Sequence, residues 1–250
     1  MSKILVTNDD GIQAPGLRAL AEALQAVGEV TVVAPEHEQS AVGHAITLHQ
    51  PLRVRLLDAA GGGWWAVQGT PADCVGLGIR KLIEDGPDLV VAGINRGANL
   101  GEDVLYSGTV SAATEAVILG VPAFAVSNVS FTSDDYRAAA AFATDLAGRL
   151  LRHPLPPPTF LNVNVPDLPP ERIAGVRVTR QGWRVYRSTY IERVDPRGRP
   201  YYWLGAERPE DEPVPGTDIA AIQAGYIAVT PQQPDLTAHE RLAELAGWWP

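Results

Sequence analysis

Residues 3–16 read KILVTNDDGIQAPG. The run around Ile4, Leu5 and Val6 is apolar and β-branched, as in a buried strand. It ends on Asp9 and Asp10, followed by Gly11. A single Asp before Gly commonly makes an Asx turn. Two adjacent carboxylates at a strand end repel each other, and one resists ionising unless a cation lies between them.

Outward from this stretch the first half alternates strand and helix signals. APGLRALAEALQAVG has helical spacing and EVTVVAP is a strand. WWAVQG is a short strand, and TPADCVGLGIRKLIEDG is a helix with Thr70 as N-cap and Pro71 at its first position. PDLVVAGIN is a strand, SGTVSAATEAVILG a helix, VPAFAVSN a strand and DYRAAAAFATDLAGRLLRH a long helix. Continuous apolar strands separated by helices predict an α/β fold: a Rossmann-like, open, mostly parallel sheet with helices on both faces. Ligands of such sheets bind beyond the carboxyl ends of the strands, where Asp9 and Asp10 fall.

Past HPLPPPTF the rhythm changes, so residues 1–155 are read as the catalytic core and 156–250 as a β-rich C-terminal extension that completes the fold. FLNVNVP and GVRVTR read as strands. WRVYRSTYIERVDPRGRPYYWLG reads as a long hairpin around DPRG. TDIAAIQAGYIAVTP reads as further strand and TAHERLAELAGWWP as a closing helix.

The formal net charge of -9 and pI near 5.0 argue against a broad grip on duplex nucleic acid. The lone cysteine, Cys74, excludes an internal disulfide and reads as a buried thiol. No leader and no long apolar run is visible, so a cytoplasmic location without a membrane span is expected.

Other strand ends offer oxygen ligands to join Asp9 and Asp10: Ser40 in EHEQSAVGHAIT and Asn95 at the end of PDLVVAGIN. Two carboxylates, a hydroxyl and an amide oxygen suit a hard cation such as Mg²⁺ or Mn²⁺. Taken singly, Ser40 and Asn95 are ordinary loop residues. Ser107, Gly108 and Thr109 open an apolar helix, either as a plain cap or as an anion site at the helix start. His44, near Ser40, is a candidate for acid–base work or for support of the ligands. No GxxxxGK[ST], GxGxxG, GxSxG or HExxH motif is present. Metal beside an anion cradle points to phosphoryl transfer to water.

Five blocks, ILVTNDDGIQAPGL, VVAPEHEQSAVGHAITL, GTPADCV, AGINRGANLGEDVLYSGTVSAATEA and GTDIAAIQAGYIAVTP, resemble the SurE family of stationary-phase survival nucleotidases. The similarity spans about residues 3 to 240. The resemblance implies a metal-dependent phosphatase acting on nucleoside 5′- and 3′-monophosphates, with short polyphosphate as a further substrate of some members. It implies one divalent cation per subunit, Mg²⁺ or Mn²⁺, held by Asp9, Asp10, Ser40 and Asn95. It places Asn99, Ser107, Gly108 and Thr109 around the phosphate. It also implies a homodimer or homotetramer built with C-terminal elements. One departure is Ala92, where the block commonly reads SGIN or TGIN.

Asp9 or Asp10 is expected to act as catalytic residue, as base toward water or as covalent nucleophile. The rival reading is a nucleotide-binding regulatory protein without turnover. The aromatics Trp183, Tyr186, Tyr190, Tyr201, Tyr202 and Trp203 predict a self-association arm.

Overall fold

In β1 (Lys3–Thr7) successive side chains leave on opposite faces of the strand. Ile4 and Val6 enter one apolar layer and Leu5 the other. This two-sided burial explains the unbroken apolar runs and requires helices on both sides. A computed structural model describes residues 1–59, 62–186, 189–205 and 209–249.

The chain continues through α1 (Pro15–Leu24), β2 (Glu29–Pro35), β3 (Val54–Asp58), β4 (Trp64–Val67) and α2 (Pro71–Leu77). Next come β5 (Leu89–Arg96), α3 (Gly108–Ile118), β6 (Ala123–Asn128), α4 (Arg137–Arg152) and β7 (Phe160–Val165). Leu17, Leu20 and Leu24 of α1 and Ala143, Leu146 and Leu150 of α4 cover the Ile4–Val6 face. Cys74 and Val75 of α2 and Ala112, Ala113 and Ala116 of α3 cover the Leu5 face. Thr70 and Asp73 cap α2 reciprocally, with Pro71 behind the cap as expected. Cys74 is fully buried, and burial pushes its thiol pKa up, which suits a packing role.

The second half supplies β8 (Val176–Val178), β9 (Arg184–Val185), β10 (Tyr190–Val194), β11 (Pro200–Leu204), β12 (Glu210–Asp211), α5 (Asp218–Gln223), β13 (Ile227–Gln232) and α6 (Leu242–Ala246). The main sheet has nine strands in the order β3-β4-β2-β1-β5-β6-β7-β13-β8. Only the β3–β4 and β7–β13 pairs within it are antiparallel. From β1 the order runs outward through β2 and β4 on one side and through β5, β6 and β7 on the other. The order therefore reverses between β1 and β5, and the crevice beyond their carboxyl ends is the expected ligand position.

Three local readings change, and one strand is added. Residues 54–58, left unassigned from the sequence, form the exposed edge strand β3. The segment Asp218–Gln223, read as strand, is helix α5, because the Thr217 hydroxyl accepts the Ala220 N–H and caps it. The long hairpin is shorter than predicted. Tyr190–Val194 pairs with Pro200–Leu204 around the Asp195–Gly198 turn. Arg184–Val185 instead pairs with Glu210–Asp211, and residues 187 and 188 lie outside the described residues. The closing helix is reduced to a short 3-10 turn followed by α6. No helix among the described residues is long and apolar enough to cross a membrane.

Candidate metal and phosphate site

Asp9 and Asp10 lie in the bend just past the end of β1 and turn to different neighbours. Asp9 is 5% exposed and turns toward the start of α3. The Thr109 hydroxyl donates to its Oδ1. A β-carbon on Gly108 would stand 2.7 Å from the Asp9 Cβ and 3.1 Å from the Pro71 Cγ, so glycine permits this approach. Burial raises the Asp9 pKa, opposed by the Thr109 hydroxyl and by the Thr109 and Gly108 amides. The first turn of α3 therefore faces a carboxylate of the chain itself.

Asp10 is half-buried and turns toward β5. Its Oδ2 accepts the Arg96 backbone N–H at 3.0 Å. Burial, together with the charges of Asp9 and Glu38, pushes its pKa up to about 6 despite the Arg96 amide. The β5–β6 register shifts between Ala92 and Asn95, an irregularity that brings Asn95 and Arg96 to the mouth. Gly93 has φ +140°, and a β-carbon there would collide with the Val126 carbonyl oxygen. The Asn95 Nδ2 donates to the Gly97 carbonyl at 2.9 Å, which commits the donor side of the amide and leaves Oδ1 as an available ligand atom. Ala92 is fully buried and pairs in register with Thr7, whose buried hydroxyl has no hydrogen-bond partner among the described residues.

Ser40 lies on a loop tied at both ends. The Gln39 N–H donates to the Asp9 carbonyl at 2.8 Å, and the Gly43 N–H donates to the Tyr106 carbonyl at 3.0 Å. Ser40 itself is exposed, and its hydroxyl donates to Glu38 at 2.6 Å. His44 Nε2 lies 2.9 Å from Glu115, so its ring turns to the flank of α3 rather than to the aspartates.

Ser107 caps α3 by accepting the Val110 N–H at 3.0 Å, which leaves its own hydroxyl proton free to donate. Asn99 stands apart in a buried amide network. Its Nδ2 donates to Ser127 at 2.8 Å, and its carbonyl accepts from Asn162 and Asn164. The structure thus brings Asp9, Gly108 and Thr109 into contact, ties Asp10 to the Arg96 amide next to Asn95 in the chain, and ties Gln39, the neighbour of Ser40, to the Asp9 carbonyl, while the Ser40 hydroxyl itself turns to Glu38. Glu38 and Arg96 at this mouth were not singled out in the sequence. Their roles come from backbone amides and loop closure, which leave no local signal.

The donor set fits a hard cation. Two crowded carboxylates, both reluctant to ionise, and an amide oxygen are what Mg²⁺ or Mn²⁺ neutralises and binds. Among the described residues no three His, Cys, Asp or Glu side chains group as a metal cluster. A site here would therefore combine Asp9 and Asp10 with neutral oxygens.

Residues 4–188 match the family described as Survival protein SurE. A protein of Geobacter sulfurreducens named 5′-nucleotidase SurE is 56% identical over 246 residues, covering 98% of this chain and 93% of that protein. One of the same name from Heliobacterium modesticaldum is 52% identical, covering 98% and 91%. The crystal structure of the SurE protein from Aquifex aeolicus superposes with a TM-score of 0.88 at 43% identity, covering 99% of this chain and 100% of that one. On a match that runs through every block of the site just described, the chain belongs to the SurE family.

Proposed function

We propose that this chain is a divalent-metal-dependent nucleotidase that hydrolyses nucleoside 5′- and 3′-monophosphates to nucleoside and phosphate. The observation that carries the reading is the paired Asp9 and Asp10 at the β1–β5 switch point, Asp9 facing the start of α3 and Asp10 the end of β5. The names of the relatives support it.

Asp9, Asp10, the Asn95 Oδ1 and the Ser40 Oγ would hold one Mg²⁺ or Mn²⁺. When bound, such an ion supplies positive charge to the phosphate oxygens and acidity to a water. Thr109 holds Asp9 in place. Asp10, more open than Asp9, accepts the proton of the attacking water at a carboxylate oxygen. The Ser107 hydroxyl and the helix start stabilise charge on the phosphate oxygens. Asn99 supports this wall from the amide network behind it.

A regulatory nucleotide binder without turnover needs an anion cradle but no crowded carboxylate pair, so the pair favours hydrolysis. The reading extends to a cytoplasmic enzyme and to a homodimer or homotetramer, supported by the exposed aromatics of β10 and β11. A phosphate-release panel over 5′- and 3′-monophosphates of each base and short polyphosphate tests the substrate class. Release from monophosphates of both kinds is expected. Failure on every nucleotide, with Mg²⁺ and Mn²⁺ both present, contradicts it.

A further inference from the structure

The acidic pair in GEDVLY has no part in the site as described. Gly101–Leu105 forms a 3-10 turn directly upstream of Ser107. Asp103 is the pivot of that turn. Its carbonyl accepts the Tyr106 N–H at 3.0 Å and the Ser107 N–H at 3.1 Å. Its carboxylate accepts Arg184 Nη1 and the Tyr186 hydroxyl, each at 2.6 Å. Glu102 accepts the Arg184 backbone N–H at 2.7 Å.

From its other side Arg184 donates to both oxygens of Asp211, at 2.9 and 2.8 Å. Its side chain is 12% exposed. Burial alone would lower the guanidinium pKa, but Asp211 and Asp103 more than offset this and keep it charged. A parallel tie comes from Asp218, fully buried, which accepts the Gly101 N–H at 2.9 Å and the Gly182 N–H at 2.8 Å.

We infer that Arg184 is a positioning residue for the phosphate end of the site. Through Asp103 it fixes residues 101–107, and with them the direction in which Ser107, Gly108 and Thr109 face Asp9. The inference rests on the reading of Ser107–Thr109 as phosphate contacts. It explains why a residue of the C-terminal half, far in sequence from every ligand, is buried among carboxylates. An exposed ion pair contributes little. A buried, forked one that loses its cation leaves Asp103 and Asp211 repelling each other across the turn. Lysine cannot reproduce the fork.

The test is a cycle of full-length wild type, Arg184→Lys, Asp103→Asn and the double variant. Five quantities are measured: KM and kcat for adenosine 5′-monophosphate, the inhibition constant of inorganic phosphate, Mn²⁺ affinity by calorimetry, and amide exchange of residues 101–109. Arg184→Lys should raise KM and the phosphate constant about tenfold, the scale of one lost charged hydrogen bond. Mn²⁺ affinity should change less than about twofold, since no proposed ligand is touched. Exchange at 101–109 should rise, and the double variant should be no worse than the worse single variant. Unchanged phosphate inhibition and exchange, additive effects, or an equal loss of Mn²⁺ affinity would overturn the inference.

Should Arg184→Lys fail to fold, Tyr186→Phe decides. It removes one donor to Asp103 from a 45% exposed ring and should shift the same quantities less, in the same direction. No shift there also overturns the inference. If exchange rises while wild type hydrolyses no nucleotide, the nucleotidase reading falls and the positioning role stands.

Discussion

The Thr109 hydroxyl is hydrogen bonded to Asp9, one hundred residues earlier in the chain. The bond joins the mouth of β1 to the first turn of α3 and adds a side-chain donor to a buried carboxylate that the Gly108 and Thr109 amides also face. Replacing Thr109 by Val should remove the side-chain donor of that buried carboxylate and lower stability by about 1–3 kcal/mol. Mn²⁺ affinity, read by calorimetry, should fall with it, while Thr109→Ser keeps both. Wild-type Mn²⁺ binding by Thr109→Val would show that the bond does not position Asp9.

Gly108 was read in the sequence as part of either a plain cap or an anion site at the helix start. In the structure the space beside it is bounded by Asp9 and Pro71. Gly108→Val should therefore displace Asp9, at a cost of about 1–3 kcal/mol for overpacking, and weaken Mn²⁺ binding as well as raising KM. A raised KM with intact Mn²⁺ affinity would restore the simpler reading.

The crowded aspartates predict a pH signature in metal-free protein. Asp10 has an ordinary value of 3.8 and is raised to about 6 on folding, chiefly by burial. The folded state then binds its proton more tightly than the unfolded state. The resulting stability is present below about pH 4 and is lost as pH rises through 6. Asp9 shifts in the same direction. Asp135 and Asp235, lowered to about 2 by hydrogen bonds from Arg137 and Thr237, act in the opposite sense only below that window. With EDTA present, the Tm of wild type should fall relative to Asp10→Asn between pH 4 and 6. Mn²⁺ at neutral pH should reverse the loss. Parallel curves for the two proteins would contradict this.

How much of this was legible follows from where the information sits. The strands β1, β2, β5, β6 and β7 are apolar throughout because both faces are covered, so each announces itself locally. The exposed edge strand β3, Val-Arg-Leu-Leu-Asp, carries no such signal. In α5 the Ile residues suggested a strand, and six residues are too few to show a helical period; Thr217 was the usable cue. Asp9 and Asp10 were visible as an electrostatic anomaly. The Thr109–Asp9 and Arg184–Asp103 bonds were not, because each partner is chosen by the packed fold rather than by its neighbours.

The β10–β11 hairpin tests the proposed assembly. Tyr190 is 74% exposed, Tyr202 59% and Trp203 65%, and two strands alone are marginal in water. A variant shortened in both strands should show a lower assembly state by light scattering than the full chain. A full chain that is already monomeric at micromolar concentration would rule out the arm.

The central claim is that Asp9 and Asp10 act together through one divalent cation to hydrolyse a phosphomonoester. The most direct measurement is phosphate release from adenosine 5′-monophosphate by wild type, Asp9→Asn and Asp10→Asn, each with Mn²⁺, with EDTA, and with Mn²⁺ restored. Release by wild type that EDTA abolishes and Mn²⁺ restores, and that either substitution lowers by orders of magnitude in a folded protein, is the predicted result. Release that survives EDTA, or near-normal release by either variant, would contradict the account.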